Sequence, residues 1–72
     1  MYIELRKGEK VRLVVFFRDN NPLPKKWLYV DNLEKFKNFL DLRYPWWVYS
    51  NVYAQNGLYM GRFYNAKNPL KG

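Results

Sequence analysis

The chain alternates short β-like runs with one amphipathic helical stretch. Tyr2 to Leu5 is a brief alternating run, and Lys7-Gly8-Glu9 reads as a turn. Val11 to Phe17 (Val-Arg-Leu-Val-Val-Phe-Phe) carries the strongest strand signal, being rich in β-branched and aromatic residues. The first two runs pair naturally as a hairpin. Asp19 to Pro24 is a loop, because its two prolines remove backbone donors. Lys26 to Val30 predicts a third strand.

A change of period marks the helix. Leu33, Phe36, Leu40 and Tyr44 fall on one helical stripe with Phe39 at its edge, while Lys35, Lys37, Asn38 and Asp41 face away. Asp31 and Glu34 have the spacing of a capping box, with Asp in the Ser/Thr role, and Pro45 ends the helix, so the predicted span is Asp31 to Tyr44. Alternation then returns. From Trp47 to Ala54, strict period-two geometry puts Trp47, Tyr49, Asn51 and Tyr53 on one face and Val48, Ser50, Val52 and Ala54 on the other. Asn56-Gly57 is a strong hairpin signal, and Leu58 to Tyr64 is the return strand. Residues 1–64 thus form one domain, and Asn65 to Gly72 is a polar tail.

The predicted order is β-β-β-α-β-β. It implies an α+β fold: a small, mostly antiparallel sheet with one helix packed on one face. Val11, Leu13, Val15, Leu28, Val30, Leu33, Phe36, Leu40, Val48 and Val52 are the expected core. Val14 and Phe16 belong to the opposite face of their strand, so one register must be chosen.

Composition narrows the function. In 72 residues there is no cysteine and no histidine, which removes disulfides and the usual zinc sites; three Trp, seven Tyr and five Phe must do the stapling. Neither a signal peptide nor a membrane-spanning run is evident, and the expected location is the cytoplasm. Missing His, Cys and Thr lean toward a thermophilic source, whereas eight Asn lean the other way. Catalytic chemistry is poorly supplied. Ser50 is the only hydroxyl nucleophile outside tyrosine, no imidazole exists to activate it, and Glu4, Glu9, Asp19, Asp31, Glu34 and Asp41 are scattered. The expectation is a binding protein without enzymatic activity, cofactor or small-molecule substrate.

Net charge is +7, which implies an acidic partner: nucleic acid, an anionic membrane or an acidic protein face; the expected partner is protein or nucleic acid, with no membrane. All six acids lie at or before Asp41, while residues 42–72 hold four cations and eight of the fifteen aromatics. A basic sheet with exposed rings is a recipe for single-stranded nucleic-acid binding, and Tyr49, Tyr53, Tyr59 and Phe63 are candidates for the platform. Trp46 and Trp47 are candidate hot spots for a protein partner, or one core ring and one rim ring.

Two resemblances add to these expectations. Trp27-Leu28-Tyr29-Val30-Asp31-Asn32-Leu33-Glu34-Lys35-Phe36, continuing to Pro45-Trp46-Trp47-Val48-Tyr49-Ser50-Asn51-Val52-Tyr53, resembles the strand–helix–strand stretch of archaeal primase small subunits. The paired metal-binding Asp motif of that family does not follow, so the likeness implies ancestry without activity. Gly57-x-x-Met60-x-x-Phe63-Tyr64 resembles the sliding-clamp (PCNA) interaction motif, with Gly57 where that motif has Gln. The size and charge are also similar to the small PCNA-inhibitor proteins of hyperthermophilic archaea. This resemblance implies a DNA-replication regulator that binds and inhibits the clamp. Met60, Phe63 and Tyr64 would be its anchors, and Arg62, Lys67 and Lys71 its electrostatic steering. The motif binds as a helical turn, whereas the hairpin pattern makes this segment a strand with Met60 and Phe63 on opposite faces.

Overall fold

A computed structural model describes residues 5–66. The described elements are β1 (Val11–Phe17), a short 3-10 turn (Arg18–Asn20), β2 (Lys25–Val30), α1 (Leu33–Arg43), β3 (Trp47–Ala54) and β4 (Tyr59–Tyr64). The strands form one antiparallel sheet in the order β2-β1-β3-β4. The fold is α+β, with the single helix packed on one face of the sheet. The run expected over Tyr2 to Leu5 lies outside the described residues except for Leu5, which packs partly buried against the core. No described helix is long and apolar enough to cross a membrane.

Burial settles the register left open in β1. Val11, Leu13, Val15 and Phe17 point under the helix, which sends Arg12, Val14 and Phe16 to the other face. The helix contributes Phe36 and Leu40 to the same core, and Leu33 and Tyr44 pack at its edge. It starts later than its sequence suggests. Asn32, not Asp31, is the cap: its Oδ1 accepts the Lys35 backbone N–H at 2.9 Å, satisfying a donor with no partner inside the helix. The Asp31–Glu34 capping box does not form.

Each pair of strands carries a register shift, and each shift re-aims an aromatic ring. In β2, two residues (Leu28 and Tyr29) span the interval that Arg12 alone spans in β1, so Trp27 and Val30 both face the core. Leu28, expected inside, is 47% exposed as a result. In β3, Val48 is the extra residue between Trp47, opposite Phe17, and Tyr49, opposite Phe16. Trp47 therefore leaves the face it would share with Tyr49 and becomes core, 1% exposed, with Nε1 donating to Asp41 Oδ1 at 3.0 Å. In β4, Met60 is the extra residue: Gly61 opposes Val52 but Tyr59 opposes Tyr53. That shift carries Tyr59 away from the helix.

The β3–β4 turn forms where Asn-Gly predicts it, but its loop has three residues. The Ala54 carbonyl accepts the Gly57 N–H, Ala54 N–H donates to the Leu58 carbonyl, both at 2.8 Å, and only Gly57 has positive φ (91°) in the loop. Asn56 Oδ1 accepts from Leu58 N–H at 3.0 Å. Asn65, at the start of the predicted tail, is buried. Its Nδ2 donates to the Trp47 carbonyl at 2.8 Å, tying the end of β4 to the start of β3.

Candidate nucleic-acid interface

The face of the sheet away from the helix is a grid fixed by strand register. One row across β1, β3 and β4 is Phe16–Tyr49–Tyr64. The next, reaching all four strands, is Lys26–Val14–Asn51–Arg62. The third is Arg12–Tyr53–Tyr59. Directly opposed residues share a face, so these side chains stand together. Two aromatic rows thus flank a polar one, with three cations and no acid in the grid.

The rings touch along each row. Phe16 stacks on Tyr49 at 4.6 Å between centroids, Tyr49 meets Tyr64 at 5.9 Å, and Tyr53 meets Tyr59 at 5.7 Å. Tyr59 and Tyr64 are the open members, 53% and 50% exposed. Tyrosine suits such a position because its ring is apolar while its hydroxyl stays wet.

Arg62 sits between the rows. Its Nε donates to Asn51 Oδ1 at 2.6 Å, and its guanidinium lies 4.2 Å from the Tyr49 ring centroid. Both contacts fix a flexible side chain. The Arg62 pKa is raised, chiefly by its side-chain hydrogen bond with Tyr64, with partial desolvation acting against it. Arg62 is thus a fixed positive charge at any physiological pH. Asn51 reaches the other row as well: its Nδ2 donates to the Tyr53 hydroxyl at 3.4 Å. At the far side, Gln55 accepts from Arg12 Nε at 3.4 Å and donates from Nε2 to the Leu28 carbonyl at 2.8 Å. The turn is thereby tied across β1 to the irregular stretch of β2.

The residues singled out in the sequence separate in space. Tyr49, Tyr53, Tyr59, Arg62 and Tyr64 come together on the open face. Phe63 does not: it is 8% exposed, edge-on to Trp47 at 5.6 Å and beneath Lys37, whose Nζ is 6.0 Å from the ring. Met60 also packs partly buried against the core, because its bulge breaks the alternation that would set it opposite Phe63. Trp46 donates from Nε1 to the Asn21 carbonyl at 2.7 Å and meets Tyr44 edge-on, pinning the loop after β1. Trp47 is core. Lys67 and Lys71 lie outside the described residues.

Lys26, Arg12, Val14, Phe16 and Asn51 are the grid members that sequence reasoning did not select. Asn51 carried a signal, as the polar residue that alternation places between Tyr49 and Tyr53 on their own face of the strand. Lys26 and Arg12 carried none, since their membership depends on which strands are neighbours.

Fold and surface together define a small α+β sheet domain with an open aromatic and basic face. No protein-family model, curated protein or solved structure matches the chain. Among the described residues no group of acidic side chains is arranged to hold a metal ion.

Proposed function

We propose that the open face binds single-stranded nucleic acid without catalysis. The observation that carries this is the grid itself: rings accessible for stacking, in two rows, with Lys26, Arg12 and Arg62 among them and no carboxylate to repel a phosphate. A core made from the other aromatics leaves Tyr59 and Tyr64 open to a ligand. The lack of His and Cys, with Ser50 fully buried and its hydroxyl against the Asn51 carbonyl at 3.3 Å, supports a role in binding alone. The absence of cysteine supports a cytoplasmic setting.

Binding a sliding clamp through Met60, Phe63 and Tyr64 has less support in this geometry. The three anchors are in extended backbone, and Phe63 is enclosed. A clamp partner is nonetheless an outcome of the same experiment.

That experiment is fluorescence anisotropy of a labelled mixed-sequence oligonucleotide, with purified clamp titrated in parallel. Three phosphate contacts predict a slope of log K against log salt of about −2, at roughly −0.7 per contact for single strands. Micromolar binding at low salt with such a slope is the expected result. Tight binding to the clamp, with no oligonucleotide retained at low salt, would overturn the proposal in favour of the protein partner.

A further inference from the structure

The arrangement of the rows specifies the ligand more closely, on the premise that the open face binds nucleic acid. Tyr49 and Tyr53 mark the two aromatic rows and are four positions apart on β3. At about 3.4 Å per residue the rows are separated by roughly 14 Å. Bases stacked on one another along a strand advance only about 3.4 Å per nucleotide. Two adjacent stacked bases therefore cannot occupy both rows. The Asn51–Arg62 pair falls midway, two positions from each row.

The two open rings, Tyr59 and Tyr64, lie on the same strand on either side of Arg62. Tyr49 is already engaged by Phe16 and by the Arg62 guanidinium. Tyr59 and Tyr64 are accordingly the rings with free surface. Arg62 donates its Nε to Asn51 and hydrogen-bonds Tyr64, which leaves the rest of the guanidinium's N–H groups for an anion.

We propose that the site takes an unstacked single strand in a two-row mode. One base stacks on the Tyr64 row, a second base on the Tyr59 row, and the backbone between them lies on Arg62, so the shortest ligand that fills the site has three nucleotides. Asn51 is a positioning residue that holds Arg62 between the rows. Tyr59 reaches its row only because of the Met60 bulge, which is thus part of the binding device.

A length series tests this. Di-, tri-, tetra- and octathymidylate compete against a labelled octamer at low salt, with wild type, Tyr59→Ala and Tyr64→Ala. In wild type, affinity should rise by roughly 5- to 150-fold from the dimer to the trimer or tetramer, the gain of one additional stacked base. Tyr59→Ala should abolish that step while the variant keeps its fold by circular dichroism. Arg62→Gln should preserve the step but flatten the salt slope by about 0.7. If Tyr59→Ala fails to fold, Tyr59→Leu, which keeps apolar bulk but no aromatic face, should give the same loss. A smooth gain with length that Tyr59→Ala leaves unchanged would overturn the two-row mode while leaving nucleic-acid binding in place. Equal affinity for a duplex of the same length would overturn it too, because a duplex cannot unstack across the rows. No binding of the octamer would remove the premise itself.

Discussion

The two faces of the sheet are both rich in aromatics, yet their rings do different work. Under the helix, Trp47 and Phe63 are enclosed with Leu13, Val15, Val52 and Leu40, and the Trp47 indole N–H is satisfied by Asp41. On the open face, the rings are tyrosines and one phenylalanine, interleaved with arginine, lysine and asparagine. Tryptophan there would expose more apolar surface to water than tyrosine does, and the one phenylalanine, Phe16, is covered in part by Tyr49. Tyrosine and arginine in the core would need polar partners that a 72-residue chain can hardly supply. The choice of ring type therefore differs between the enclosed face and the open one.

Substitutions should divide the same way. The largest effect belongs to the covered face. Trp47→Ala should cost about 3–5 kcal/mol, through the cavity and the stranded Asp41. A domain of this size has roughly 4–11 kcal/mol in total, so urea unfolding should show a much lower midpoint or no folded baseline. A midpoint near wild type would break the assignment of Trp47 to the core. On the open face, the double variant Tyr59→Ala/Tyr64→Ala should lower stability by no more than about 1 kcal/mol, the scale of cross-strand pairs. Oligonucleotide affinity should fall by roughly 1–3 kcal/mol per ring removed. A loss of stability as large as that of Trp47→Ala would erase the distinction between the faces.

Smaller effects sharpen it. Gly57→Ala, at φ 91° in the hairpin loop, should cost about 1–2 kcal/mol in unfolding experiments. The strand pair it closes carries both faces, so the variant should lose stability without a change in the salt slope of binding. Asn32→Ala should cost about 1 kcal/mol by removing the cap of α1, with binding unaffected. The smallest expected effect is of pH. The raised pKa of Arg62 means that its charged form is favoured by folding. That contribution is present at all pH values below the ordinary arginine range and is lost only as pH rises through the higher folded value. With no histidine in the chain, stability and binding should be flat between about pH 5.5 and 7. A titration within that window would point to a group other than those of the grid.

Much of this architecture was legible in the residues. The run Val11–Phe17, the helical stripe of Phe36 and Leu40, the stop at Pro45 and the Asn56-Gly57 turn each follow from a local rule, and each element is found where its rule places it. The helix cap was misread by one residue because Asp31 and Asn32 are both competent caps. The backbone of Asn32 is extended and its side chain reaches Lys35, which decides between them. The candidate site was half legible. Tyr49, Tyr53 and Tyr59 stand out in the sequence as a surface, but Phe63 groups with them there, whereas Arg12, Val14, Phe16, Lys26 and Asn51 do not.

What the sequence determined by itself is the set of elements, the aromatic and basic content of the last hairpin, and the poverty of catalytic groups. Tertiary structure alone decided which face each ring occupies. Strict alternation would put Trp47 beside Tyr49, Leu28 beneath the helix and Tyr59 in line with Phe63. One register shift in each strand pair reverses all three. A bulge is the outcome of competition between packing on two faces and pairing along two edges, and no local pattern reports it. The physical reason is that side-chain direction in a strand has a period of two, so a single extra residue moves a ring from core to solvent, or back.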